Sequence, residues 1–265
     1  MRYVNLLLIH MEEVLEQRVR ALIWFLMTLL NPIVLILFWN GVLKSTGGSI
    51  GSWNQSDINS YYLMLMVISN ILVVHIEENI ALQDVQLGYL SGLLLKPFSY
   101  YWIKFFQEIP YRILEGVYGL VAVFFIMFVF KGLTFFHVNL ISLLLVSTVL
   151  VCALFISYTF KVIIGLTSLW LTQVDGLQDT LFVLSLIFGG FIIPLDMFPI
   201  MLKNFIFITP FPWITYYPVV VLQGKIDTLQ TVHIIAQQFM WLVGLYIVYK
   251  LIWREGAKKF TAVGQ

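Results

Sequence analysis

The sequence predicts an all-α integral membrane protein with six transmembrane helices, and three observations predict it. Of 265 residues, 60% are hydrophobic and only 11% are charged, too few charges to cover a soluble surface of that length. Mean hydropathy is +0.93. The apolar residues gather into six runs near the roughly 20 residues that cross a bilayer. These are Ala21 to Leu43, Tyr61 to His75 with its flanks, Ile109 to Phe130, Val138 to Phe160, Leu177 to Pro194 and His233 to Trp253. No internal repeat or long linker divides the chain, so residues 1–265 read as one transmembrane domain.

Orientation follows from the positive charges. With six spans both termini share a side. That side holds Arg2, Arg18, Arg20, Lys96, Lys104, Arg112, Lys161, Lys250, Arg254, Lys258 and Lys259; the other holds Lys44, Lys131, Lys203 and Lys225. A split of 11 against 4 predicts cytoplasmic termini. The start of the chain does not read as a signal peptide, because no basic cluster precedes an apolar core.

Residues 1–20 read as an amphipathic helix. Val4, Leu7, Leu8, Met11, Leu15 and Val19 recur at helical spacing, with Glu12, Glu13, Glu16, Gln17 and Arg20 mostly opposite. Such a helix lies in the membrane surface; the plainer alternative is the solvated start of a long first helix. The glycine-dotted loop from Lys44 to Ser60 lacks the Gly-Lys-Ser/Thr of a phosphate cradle and reads as a flexible outer loop.

The segment 82–97, LQDVQLGYLSGLLLKP, is half polar and by orientation cytoplasmic. It predicts a short helix from Gln83 to about Leu95, with Asp84, Gly88 and Ser91 on one small polar face. Pro97 ends it, and Tyr100, Tyr101 and Trp102 mark the return to the membrane interface. The alternative, a solvated connecting loop, does not need the leucine run.

Glu108, Arg112 and Glu115 stand at spacings of four and three, so they share a helix face. Charges near a span are expensive, and two readings stay open: a neutralised ion-pair cluster or a cation relay. Asp175 and Asp179, also four apart, suggest exposure or a basic partner.

The fifth run is interrupted. Gly189 and Gly190 weaken the helix, and Pro194, Pro199, Pro210, Pro212 and Pro218 each remove a backbone donor. Yet the region stays apolar and aromatic. Broken backbone at membrane depth needs protein or a watery cavity to satisfy it. The span therefore ends near Pro194, and short re-entrant or interfacial helices follow over 195–228. Trp213, Tyr216 and Tyr217 suit the headgroup level.

Chemistry-bearing motifs are missing. His10 and His75 begin HMEEV and HIEEN, which lack the second histidine of a zinc hydrolase. No Gly-x-Ser-x-Gly elbow and no nucleotide loop occurs. The single Cys152 supports neither disulfides nor a thiolate metal site. The net charge of +1 gives no basis for a nucleic-acid partner.

Two patterns together resemble the permeases of ABC-2 type transporters. One is Asp84-x-x-x-Gly88 with Ser91-Gly92, a leucine run and Lys96-Pro97-Phe98-Ser99. The other is Gly189-Gly190, Pro194-Leu195 and Phe198-Pro199, then Pro210-Phe211, Tyr216-Tyr217-Pro218 and Gly224-Lys225. The resemblance implies a half-transporter that pairs with an identical or paralogous permease subunit. It also implies docking on separate cytoplasmic ATPase subunits through the 82–97 helix, so that the chain is no enzyme and ATP and Mg sit on the partner. The coupling residues it implies are Gln83, Asp84, Gln86, Gly88, Tyr89, Ser91, Lys96 and Pro97. The gate residues are Gly189, Gly190, Phe191, Pro194, Phe198 and Pro199. Val85-Gln86-Leu87 stands where the family often has a further charge, which implies a less ionic contact with the ATPase.

The expected function is thus the permease subunit of an ATP-driven exporter in the plasma (inner) membrane. Its cargo would be amphiphilic or hydrophobic: a drug, peptide, lipid or polysaccharide. Aromatic faces favour apolar or cationic cargo. Two rivals remain: an ion-coupled secondary transporter using Glu108, Arg112 and Glu115, and an integral membrane enzyme acting on lipid. The first lacks the expected paired broken helices; the second lacks a polar catalytic cluster.

Overall fold

The structure, a computed structural model, describes residues 2–16, 18–129, 140–171 and 173–260. Met1, Gln17, Lys131, the expected end of the third span at Phe130 and the expected start of the fourth at Val138 lie outside the described residues, as does the side chain of Val4.

Helix α1 (Arg2–Glu16) precedes α2 (Arg18–Ser45). It packs on the later helix α6 (Tyr100–Val129). Its buried contact is Val14, whereas Leu8, Leu15 and Val19 of the expected apolar face stay exposed. The Lys44–Ser60 loop is more ordered than its composition suggests. Strands β1 (Ser49–Ile50) and β2 (Trp53–Asn54) pair antiparallel, with Gly47, Gly48 and Gly51 at positive φ. Asn54 then caps α3 (Gln55–Leu72) in a reciprocal capping box with Asp57.

After α3 the backbone leaves the helix over Val73–Ile76. It resumes as α4 (Glu77–Asn79), which runs into a π-helical turn, Ile80–Gln86. The expected continuous helix from Gln83 to Leu95 is therefore not present. Gly88 adopts φ +78°, a left-handed conformation other residues resist, and breaks it; a separate α5 (Leu90–Leu94) follows. Tyr100 and Tyr101 are buried at the start of α6, not held at a lipid interface; only Trp102 is exposed.

Helix α7 (Leu140–Leu166) packs along α12 (Thr228–Lys259). Between them lie α8 (Asp175–Phe188), α9 (Ile200–Ile206), α10 (Phe211–Ile214) and α11 (Tyr216–Leu222). Asp175 and Asp179 at the head of α8 are exposed.

Among the described residues four helical runs are long and apolar enough to cross a membrane: Arg18–Ser45, Gln55–Gln86, Leu140–Leu169 and Thr228–Lys259. The pair α9 and α10–α11, bent by 72°, brings the number to five if counted as one span. Four or five of the expected six spans thus have candidates among the described residues. Helix α6 has the length, 30 residues, and carries Lys104, Glu108, Arg112 and Glu115 within its first 16. Helix α8 has only 14 residues, about 21 Å at 1.5 Å each, short of a hydrocarbon core of about 30 Å.

The loops sort to two ends. At one, Lys225 reaches Asp57 at 3.2 Å and stands 3.4 Å over the Trp53 ring, while the Gln223 amide donates to the Asp57 carbonyl. Burial holds the Lys225 ammonium below its usual pKa, with the Asp57 carboxylate opposing. At the other end Tyr100 stacks on Trp253 at 4.4 Å. Separate apolar clusters fill each end, one around Trp53, Tyr61, Leu195 and Val219, the other around Ile76, Ile80, Tyr158 and Tyr249. Trp213 and Tyr216, expected at the headgroups, are buried within the protein, and Trp213 stacks on Tyr217 at 4.5 Å. Gln238 of α12, fully buried, donates to the carbonyls of Val149 and Trp213 and so ties three helices together.

Candidate functional site

The residues predicted at 82–97 form a knob whose root is ionic. Asp84 does not face outward. It is buried, 2.7 Å from the Lys104 ammonium, and accepts from the Tyr100 hydroxyl at 2.6 Å. Lys104 also donates to the Asn79 side chain at 2.9 Å. Seven residues earlier Glu77 pairs with Lys161 of α7. A buried charge needs its partner and further hydrogen bonds, and both acids have found a cation on another helix. The two pairs fasten α4 and the π-helical turn to α7 and α6, so that the knob taken with its root spans 77–98.

The knob's tip is open. Gln83, Gln86, Tyr89, Ser91, Lys96 and Pro97 are exposed and Gly88 is partly so. Among them stand apolar side chains that sequence reasoning left out: Leu87, Leu94 and Leu95, the last 88% exposed. Ser91 closes the turn by donating to the Gly88 carbonyl at 2.8 Å. Asp84, Gly88 and Ser91 therefore do not share one polar face.

The Glu108, Arg112, Glu115 group is a closed ion cluster. The Arg112 Nε lies 2.8 Å from Glu108 and a terminal nitrogen 2.8 Å from Glu115. The same guanidinium donates to the carbonyls of Val73 at 2.7 Å and Asn70 at 3.2 Å. Those carbonyls lie at the end of α3, where helical partners run out, and a cation there also suits the helix dipole.

At the opposite end the predicted gate residues form a tight turn. Helix α8 stops at Phe188, six residues before the expected Pro194. Gly190 turns with φ +81°, and a Cβ on it would lie 2.5 Å from the Tyr61 hydroxyl. On Gly189 a Cβ would meet the Ser185 carbonyl at 2.4 Å and the Thr215 hydroxyl at 2.7 Å. The carbonyls released here are taken up by side chains from three elements. Thr215 donates to Gly189 at 2.6 Å, Tyr61 to Gly190 at 2.7 Å, Tyr62 to Ile192 at 2.6 Å and the Trp39 indole to Ile192 at 3.1 Å. Pro194 is buried, Phe191 and Phe198 are half-buried and Pro199 is exposed. None of the four donors was legible as such, since each lies far from the turn in sequence.

A cavity of about 1170 Å³ connects these places. Its wall includes Leu35, Tyr62, Leu65 and Phe191 near the glycine turn, and His75, Glu108, Arg112 and Glu115 near the ion cluster. Along α3 the distance from Tyr62 to the helix end is about 15 Å, so one space runs from an apolar region to a charged one.

This architecture is that of a polytopic helical membrane protein with an open amphipathic cavity. The chain belongs to the ABC-2 family transporter proteins, whose family pattern it matches over residues 29–264. That family is one of membrane subunits that carry out transport and associate with ATPase subunits. No curated protein matches the chain.

Proposed function

We propose that the chain is the permease subunit of an ATP-driven exporter in the plasma membrane, with both termini cytoplasmic. It lines a translocation path together with a second, identical or paralogous, permease subunit. ATP and Mg bind on separate cytoplasmic ATPase subunits. The observation that carries this reading is the knob at 82–97, ionically anchored at its root and presenting leucines among polar residues at its tip. Family membership supports it, and buried pairs at Glu77 and Asp84 suit a part that must pass force without detaching. The exposed Leu87, Tyr89 and Leu95 offer an ATPase groove an apolar contact, in keeping with Val85-Gln86-Leu87 where a charge is often found.

The cavity supports an amphiphilic or hydrophobic cargo such as a drug, peptide, lipid or lipid-linked saccharide. Its polar end would take a headgroup and its apolar end a tail. The glycine turn at 189–194 would act as the outer gate, with Phe191, Pro194, Phe198 and Pro199 as its framework.

The test is co-expression with each ATPase subunit that any neighbouring gene encodes. A stable complex with vanadate-sensitive hydrolysis is expected, and its failure to form with every such ATPase would refute the reading. Gly88→Trp, at a strained and open position, should weaken the complex while membrane insertion is kept. Normal assembly of that variant would remove the docking role from the knob.

A further inference from the structure

Helix α3 touches both places the proposed mechanism needs. Its first half presents two consecutive tyrosines, and both spend their hydroxyls on the turn after α8: Tyr61 on Gly190 at 2.7 Å, Tyr62 on Ile192 at 2.6 Å. Its other end is gripped by Arg112 through the carbonyls of Asn70 and Val73. Four residues after α3 ends, the chain enters the segment that Glu77–Lys161 and Asp84–Lys104 lock to α7 and α6. Between these ends α3 is an unbroken 18-residue helix, and every residue from Tyr61 to Ile68 is buried. A helix packed so closely does not bend to absorb a displacement; it passes the displacement on.

We propose that α3 is the linkage between the 77–98 knob and the glycine turn, with Tyr61 and Tyr62 as positioning residues at one end and Arg112 at the other. The tyrosines hold the turn's carbonyls in place of the backbone donors that the interruption of α8 withdraws. A shift of the knob then moves the turn through two hydroxyls, without any contact between the knob and the turn. This goes beyond the permease reading, because the connection is a property of the chain alone and is testable without an ATPase or a cargo.

The test is amide hydrogen exchange on the full chain in nanodiscs of phosphatidylcholine and phosphatidylglycerol. In the Tyr61→Phe, Tyr62→Phe double variant, exchange at 189–193 should rise roughly tenfold, as the loss of two ordinary hydrogen bonds predicts. The decisive reading is remote: exchange over 73–86 should rise about threefold or more. The reciprocal variant, Arg112→Lys, keeps the charge but ends short of the position from which Nη1 holds both carbonyls, so it should raise exchange at 73–76 and also at 189–193, since coupling between two sites acts both ways. Tyr118→Phe removes a hydroxyl on α6 that reaches, among the described residues, the Arg18 carbonyl at 3.3 Å, and should move neither segment. If the double variant does not fold, the single Tyr62→Phe gives the same reading at smaller amplitude. Faster exchange confined to 189–193 in the tyrosine variants would make them local props and overturn the linkage. An unchanged 189–193 in Arg112→Lys would overturn it equally. Failure to bind an ATPase would refute the permease reading and leave these exchange results standing.

Discussion

The 77–98 knob and the glycine turn are held by different chemistry, although each end of the molecule also carries ion pairs. Around the 77–98 knob the fastenings are buried ion pairs, Glu77 with Lys161 and Asp84 with Lys104. Around the glycine turn they are neutral donors, three hydroxyls and an indole, each on a backbone carbonyl. The difference teaches what each end can do. A buried pair is an all-or-none fastening, because removing one partner strands a charge. A neutral hydrogen bond contributes about 1 kcal/mol net, so a set of four can be exchanged one at a time. The first chemistry suits a part that must stay attached, the second a part that must open.

The largest expected effect breaks the charged end. Lys104→Met leaves Asp84 buried with only the Tyr100 hydroxyl, and should cost about 3–5 kcal/mol of stability. The check is the denaturation midpoint in bicelles. Asp84→Leu combined with Lys104→Met should be markedly more stable than Lys104→Met alone, since the stranded charge is then gone. A double variant no better than the single would mean that packing, not charge, fastens the knob.

Next comes the backbone of the turn. Gly190→Ala meets both a positive φ and the Tyr61 hydroxyl, 2.5 Å from the new Cβ, and should lose about 2–3 kcal/mol. Gly47→Ala shares a positive φ, +84°, with open space around it, and should lose only about 1 kcal/mol. Thermal denaturation of the pair separates strain from contact; equal losses would show that the tyrosine does not press on the turn. Smaller again is Thr215→Val, which keeps the shape of the side chain but frees the Gly189 carbonyl. About 1 kcal/mol is expected, well below the Lys104→Met loss. A loss as large as that one would erase the contrast between the two ends.

What the sequence disclosed of all this follows the range of each interaction. Glu108, Arg112 and Glu115 sit on one helix, so their pairing was legible from spacing alone. The interruption near Gly189 was legible too, because glycine and proline act on the backbone locally. Its position was read six residues late, since apolar composition continues past Phe188 and hydropathy does not register where a helix ends. The same blindness carried the expected fifth span past the 14 residues of α8. Asp84–Lys104 bridges 20 residues and two elements, and Tyr61–Gly190 bridges 129, so no local pattern carries them. Asp84 was drawn to the surface by its charge, when a partner on α6 allowed it inside. Trp213, Tyr216 and Tyr100 were drawn to a lipid interface by the habits of aromatic residues, when the short helices around them had built an interior.

The smallest effect on stability sharpens the comparison most. Leu95 lies at the knob's tip, 88% exposed, outside every ion pair that fastens the root. Leu95→Asp should therefore change stability by no more than about 0.5 kcal/mol, as for a surface site with no special feature. If the tip is an apolar docking surface, the same change puts a charge where a partner must desolvate it. Binding of the co-expressed ATPase, measured by pull-down at matched expression, should then fall by at least tenfold. Root and tip would separate into a part that keeps the fold and a part that meets the partner. An Asp variant that keeps wild-type ATPase binding would move the contact elsewhere on the knob, to Tyr89 or Leu87, or off it altogether. Substitution of those two by Asp decides between these: loss in either keeps the knob as the docking element, and full binding in both removes it.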